Sequence, residues 1–204
     1  LENGAEIATT TESSGKAGNI TLQSHPTQEN LTINLAPETS ISASTNSPFN
    51  QATGGDIQIK APDSITIQGE GTITTETRGT GNAGTITLDT STLTIAQGAE
   101  IFAFTEGSGD SGTITVNATT AVNLGLGVDD FSPVLSVETR DAGKAGNIIV
   151  NTPTLTLSDT ARITATATDT ATNTEGGGSI TLNASRMNLA GIVGVFAETE
   201  GQTP

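Results

Sequence analysis

Any chemistry in this 204-residue chain has to come from its acids. Twenty-two Asp and Glu stand against seven Lys and Arg, for a net charge of −15, with one histidine and no cysteine. Nucleophilic catalysis needs a hydroxyl or thiol beside a base. The single histidine, His25, falls beside Pro26 in the Gln23–Glu29 turn and reads as a solvated turn residue. No Gly-x-x-x-x-Gly-Lys-Ser/Thr string offers a phosphate cradle. Carboxylate chemistry remains. Cleavage of a sugar polymer needs paired carboxylates, or an acidic calcium cluster with a nearby Arg or Lys base, on one face. Glu76-Thr77-Arg78 and Glu138-Thr139-Arg140 are the two copies of the only such candidate. For calcium, which takes about six to eight oxygens, the densest local supply is Asp129-Asp130, with Asp141 next in sequence. The Gly-Gly-x-Gly-x-Asp nonapeptide of calcium β-rolls is absent. Dispersed acids more often make a solubilising surface. No cofactor is expected, calcium being the one candidate.

The elements that would position these residues come from a repeat. A glycine followed by a short strand signal occurs six times: Gly18-Asn19-Ile20-Thr21-Leu22, Gly55-Asp56-Ile57-Gln58-Ile59, Gly84-Thr85-Ile86-Thr87-Leu88, Gly112-Thr113-Ile114-Thr115-Val116, Gly146-Asn147-Ile148-Ile149-Val150 and Gly178-Ser179-Ile180-Thr181-Leu182. The copies stand 28 to 37 residues apart, a period that means stacked units. Each first strand turns two aliphatics to one face and a polar residue to the other. A second strand follows in each unit, from Leu31-Thr32-Ile33 and Ile65-Thr66-Ile67 to Leu155-Thr156-Leu157 and Met187-Asn188-Leu189. A third follows that, from Ile41-Ser42-Ala43 to Val195-Phe196-Ala197, and an orphan copy, Ile7-Ala8-Thr9, precedes the first unit.

The expected fold is all-β: a right-handed parallel β-helix with three short strands per coil and six to seven coils. Parallel crossovers are right-handed by default. Seven levels at the strand spacing give a rod roughly 30 Å long. Residues 1–204 read as one repeat domain. Hydrophobic residues are only 33% of the chain and aromatics 2%, which suits a thin solenoid core better than a compact globule. Ala43, Thr75, Ala103 and Ala165 are expected to stack inward. Four corners are seven residues long, with glycine at the fourth place (Gly15, Gly81, Gly109, Gly143) and at the seventh. Both places are expected to need positive φ. Variation is confined to corners, at Asn46–Gly55, Gly125–Pro133 and Thr168–Gly178.

Function classes fall away with composition. Without a basic patch, binding to nucleic acid or to anionic membrane surfaces is disfavoured. No apolar run reaches the roughly 20 residues of a membrane-spanning helix. The absence of cysteine fits passage through oxidising compartments. Leu1 is not a natural start, so the chain reads as a fragment of a longer one.

The phrases Gly81-Asn82-Ala83-Gly84-Thr85-Ile86-Thr87-Leu88, Leu93-Thr94-Ile95 and Gly98-Ala99-Glu100-Ile101 resemble the recurring unit of filamentous-haemagglutinin-like exoproteins of the two-partner secretion type, particularly cyanobacterial ones. The resemblance runs through essentially the whole chain. It implies a secreted or cell-surface β-helical fibre, adhesin-like and not an enzyme, exported through an outer-membrane partner and touching surface glycans or proteins. The Asn-Pro-Asn-Gly motifs of that family's secretion domain are absent, so the segment reads as shaft.

Two surface features complete the reading. Phe102 and Phe104, with Phe196 three coils on, are the outward aromatics and a candidate contact surface, or else they pack under a turn, with Asn46–Gly55 and Thr168–Gly178 as covers. Outward threonines make two rows: Thr21, Gln58, Thr87, Thr115, Ile149, Thr181, and Thr32, Thr66, Thr94, Asn123, Thr156, Asn188. Such rows occur on ice-binding solenoids, but threonine is also simply a good exposed strand residue. A carbohydrate-active β-helix is the main alternative to a shaft, and ice binding a remote one.

Overall fold

Each repeat glycine opens a strand whose aliphatics turn inward, and the strands pair parallel with the same strand one coil away. The computed structural model describes residues 1–47, 52–125, 132–168 and 176–199. Fourteen strands fall into two sheets, and no helix occurs among the described residues. The third-strand signals are β1 (Glu6–Thr11), β4 (Ser40–Thr45), β6 (Thr72–Thr77), β8 (Glu100–Thr105), β10 (Val134–Thr139), β12 (Arg162–Ala167) and β14 (Gly194–Thr199). They stack in that order as the first sheet. The second sheet holds β2 (Ile20–Gln23), β3 (Thr32–Leu35), β5 (Ile57–Gln68), β7 (Ile86–Ala96), β9 (Ile114–Gly125), β11 (Asn147–Leu157) and β13 (Ser179–Leu189). The chain is a parallel β-solenoid of about six turns.

The first and second strand signals are not separate in most coils. In β5, β7, β9, β11 and β13 they run as one strand. The ladder bends where its register shifts, at Ala61/Ser64, Thr90/Thr92 and Asn151/Thr154. At two of these bends a threonine hydroxyl bridges the corner: Thr90 Oγ1 donates to Thr92 O and Thr152 Oγ1 to Thr154 O. Only the first coil, with its His25-Pro26 turn, keeps β2 and β3 apart. In that coil the second signal is also displaced by two residues. Ile33, Asn34 and Leu35, not Leu31, Thr32 and Ile33, pair with Ile65, Thr66 and Ile67. The alternation Leu31-Thr32-Ile33-Asn34-Leu35 continues unbroken, so periodicity alone fits either register.

The core is a set of aliphatic columns. Ile57, Ile86, Ile114 and Ile148 stack in register at 0–1% exposure. Ala43, Thr75, Ala103 and Ala165 are fully buried in the narrow wall opposite. Stacking is what buries these faces. Leu157 is 0% exposed, whereas Leu189, its partner in the last coil, is 59% exposed. A buried leucine is worth about 1.5–3 kcal/mol, so each added coil stabilises the one beneath it.

The left-handed residues lie in a different corner from the one expected. They are Asn3-Gly4, Glu38, Gly69-Glu70, Gln97-Gly98, Asp159 and Gly191, in the turns that lead into the first sheet, together with Gly125. The seven-residue corners have none. Their glycines answer to space instead. A Cβ on Gly84, Gly112 or Gly146 would overlap the carbonyl oxygen of the glycine one coil below. Gly109 and Gly143 meet Gly81 and Gly109 in the same way, while Gly15, in the first copy, has nothing within 4 Å.

Candidate functional site

The outer face of the first sheet brings the Glu-Thr-Arg pair and the phenylalanines together. Alternation in β6, β8 and β10 turns Ile73, Ile101 and Leu135 inward, so Glu76, Phe104 and Glu138 share an outward column. Thr74, Phe102 and Ser136 form the next column, and Thr72, Glu100 and Val134 the third. Apart from Thr72 and Thr74, these residues line a shallow groove of about 450 Å³.

Charge in the groove alternates. Arg78 Nε donates to Glu76 Oε1 at 2.8 Å and lies 3.6 Å from Glu106. Its hydrogen bond to Glu76, with the charges of Glu76 and Glu106, pushes the guanidinium pKa up. Arg140 Nε donates to Glu138 Oε1 at 3.0 Å, and its guanidinium sits 4.5 Å from the centre of the Phe104 ring. Phe104 is therefore only 9% exposed, its cover being an arginine from the next coil. Phe102 is half-buried. Phe196 shares the Phe102 column, but Ser136 and Thr164 stand between them, so it is no part of the groove.

Glu100 differs from the other three acids of the groove. Its carboxylate has no hydrogen-bond or ion-pair partner among the described residues, and burial pushes its pKa up. Glu76 and Glu138 stand two strand spacings apart, roughly 10 Å, across Phe104. Each is held by its own arginine. In each, the arginine hydrogen bond occupies a carboxylate oxygen that a substrate would have to reach.

The remaining candidates disperse. His25 is exposed, and its Nδ1 accepts from Thr27 N and pairs with Thr27 Oγ1 at 2.8 Å within its own turn. Asp129 and Asp130 lie outside the described residues, as do most of the residues in the three variable corners. Asp141 is half-buried, and no three acids or histidines converge on a metal position among the described residues. The first threonine row stacks as expected, still interrupted by Gln58 and Ile149. In the second row, Asn34 stands where Thr32 was expected.

Several acids and amides have structural work that the sequence reading missed. Asn19 Oδ1 accepts from Asp56 N at 3.0 Å, and Asp56 Oδ1 accepts from Thr85 N at 3.0 Å. Asn82 and Asp110 repeat this two-step stair to Asp110 N and Lys144 N at 2.9 Å. Burial pushes the Asp56 carboxyl up, but the Thr85 N–H and the Lys16 ammonium, 2.9 Å away, together outweigh it and hold it below its ordinary value. A side-chain ladder runs along the second sheet: Asn183 donates to Asn151, Asn151 to Asn117 and Asn117 to Asp89, each at 2.8 Å. The signal was present, since each of these residues stands five places after a repeat glycine. No protein-family model, no curated protein and no solved structure matches this chain.

Proposed function

We propose that this chain is a length of shaft from a large secreted or cell-surface exoprotein of the filamentous-haemagglutinin-like, adhesin kind. Its work is mechanical and presentational: a stiff rod holds variable corners out for contact with surfaces, glycans or proteins. The observation that supports the reading is the constant register of the first sheet, in which seven strands stack without a shift, with pairs missing only at Ala43 and Ser44 between β4 and β6. A continuous ladder with stacked glycine, amide and aliphatic columns suits a load-bearing element, and its conspicuous polar groups are spent on holding coils together. Export of the whole protein would use an outer-membrane two-partner-secretion transporter. An antibody raised against this chain should label intact producing cells or their medium, and lose that label when the transporter is deleted. Label seen only after permeabilisation would contradict the reading.

A carbohydrate-active solenoid is the second reading, and the groove with Glu76 and Glu138 across Phe104 is what favours it. The arginine bonded to each carboxylate weighs against cleavage. Release of reducing or unsaturated ends from any member of a polysaccharide panel, abolished by Glu138→Gln, would decide for it.

A further inference from the structure

The groove on the first sheet contains one filled aromatic–carboxylate pair and one empty one. Over Phe104, the Arg140 guanidinium stacks on the ring while Glu138 accepts its Nε–H. One step along β8, Phe102 and Glu100 present the same two groups, and no cation among the described residues pairs with either. They are alternate residues of one strand, so their side chains leave the same face about 7 Å apart.

We propose that Glu100 and Phe102 form a binding site for an arginine side chain presented by a segment of a partner protein. A planar guanidinium satisfies both groups at once, donating to the carboxylate and stacking on the ring. Charge complementarity selects a cation. Four carboxylates (Glu76, Glu100, Glu106, Glu138) line the groove against two guanidiniums, Arg78 and Arg140. Both guanidiniums are already engaged with acids of the groove. The four carboxylates do not converge: no three acids meet at a metal position among the described residues, so the groove does not supply the oxygens of a divalent-ion site. Val134 and Thr72 flank Glu100 in register and bring no charge, so its desolvation goes uncompensated until a cation arrives. The inference stands on the groove and goes beyond the shaft reading, in which contact belongs to the corners.

The test titrates the whole chain with a blocked Gly-Arg-Gly peptide and with its citrulline analogue, which keeps the shape without the charge, following backbone amide shifts by NMR. The arginine peptide should shift residues of β8 and β10, with citrulline binding about tenfold more weakly. Glu100→Gln should weaken arginine binding about tenfold and Phe102→Ser about fivefold, with unchanged circular dichroism. Asp63→Asn, an exposed acid on the other sheet, should leave it unchanged. Equal binding of the citrulline peptide would overturn the proposal, as would full affinity in Glu100→Gln or an equal loss in Asp63→Asn. Shifts at the groove with a neutral hexasaccharide but not with the arginine peptide would replace it with a sugar site.

Discussion

Asn151 donates its side-chain amide to the side-chain oxygen of Asn117 one coil below, at 2.8 Å, and Asn117 passes the same bond on to Asp89. Asn117 is thus both acceptor and donor in a half-buried ladder. Asn117→Ala should lower stability to chemical denaturation by about 1–3 kcal/mol, because it strands Asn151 and Asp89 together. Asn183→Ala, at the exposed end of the ladder, removes one bond and should cost about 1 kcal/mol or less. Equal losses would mean that the ladder is not a unit.

The glycine columns make a sharper contrast. Gly112→Ala pushes a methyl group into the backbone of Gly84, where no side chain can move aside, whereas Gly15→Ala points into open space. Neither glycine is in the left-handed region, so backbone strain does not confuse the comparison. Gly112→Ala should cost about 3 kcal/mol or prevent folding, and Gly15→Ala should be neutral or slightly stabilising. Thermal melts of the two variants decide it.

Inward threonines test hydrogen-bond accounting. Thr105 is fully buried, and its Oγ1 donates to Asp110 O at 3.1 Å. Thr139, its neighbour in the same column, is equally buried, and its hydroxyl has no partner among the described residues. Valine at position 105 should therefore destabilise by about 1 kcal/mol, removing this bond while Asp110 O keeps the one it accepts from Ala83 N, whereas Thr139→Val should stabilise by up to about 1 kcal/mol. Opposite signs in urea denaturation are the expected outcome.

Glu100 and Asp56 respond to pH in opposite senses. The folded-state pKa of Glu100 is raised above 4.5, so its contribution to stability is fully present below that value and lost as pH rises through the raised one. Glu100→Gln should therefore be more stable than the parent at pH 7, with the gain vanishing below pH 4.5. The folded-state pKa of Asp56 is lowered, so its contribution is present above 3.8 and lost as pH falls through the lower value. Asp56→Asn should be less stable at pH 7 and converge with the parent in strong acid.

What the sequence reading saw and missed divides along physical lines. Alternation marked the strands, because inward Ile and outward Thr repeat with the pleat itself. It left the first coil two residues out of register, since Leu31, Ile33 and Leu35 are equally good inward residues. It could not see that two strand signals run through one bend, because a bulge keeps the alternation on both sides. Glycine was read as needed for φ at the corners, whereas Gly84, Gly109, Gly112, Gly143 and Gly146 are needed for their lack of a Cβ and Gly15 for neither reason. A glycine chosen for φ and one chosen for lack of a Cβ look alike until the coil beneath is placed. The groove was half legible: Glu76, Glu138 and the phenylalanines were flagged, whereas Glu100 passed unnoticed. Its isolation depends on Thr72 and Val134, each about 30 residues away in the chain.

Register is the claim on which everything else depends, and the absence of cysteine makes it directly measurable. Ala8, Ser42, Thr74, Phe102, Ser136 and Thr164 form one outward column. Spin labels at Ala8→Cys and Thr164→Cys should give a narrow electron–electron resonance distance near 24 Å, five strand spacings, and the pair at positions 8 and 136 should be shorter by about 4.8 Å. A broad distribution, or distances that do not change by one strand spacing per coil, would contradict a rigid in-register shaft.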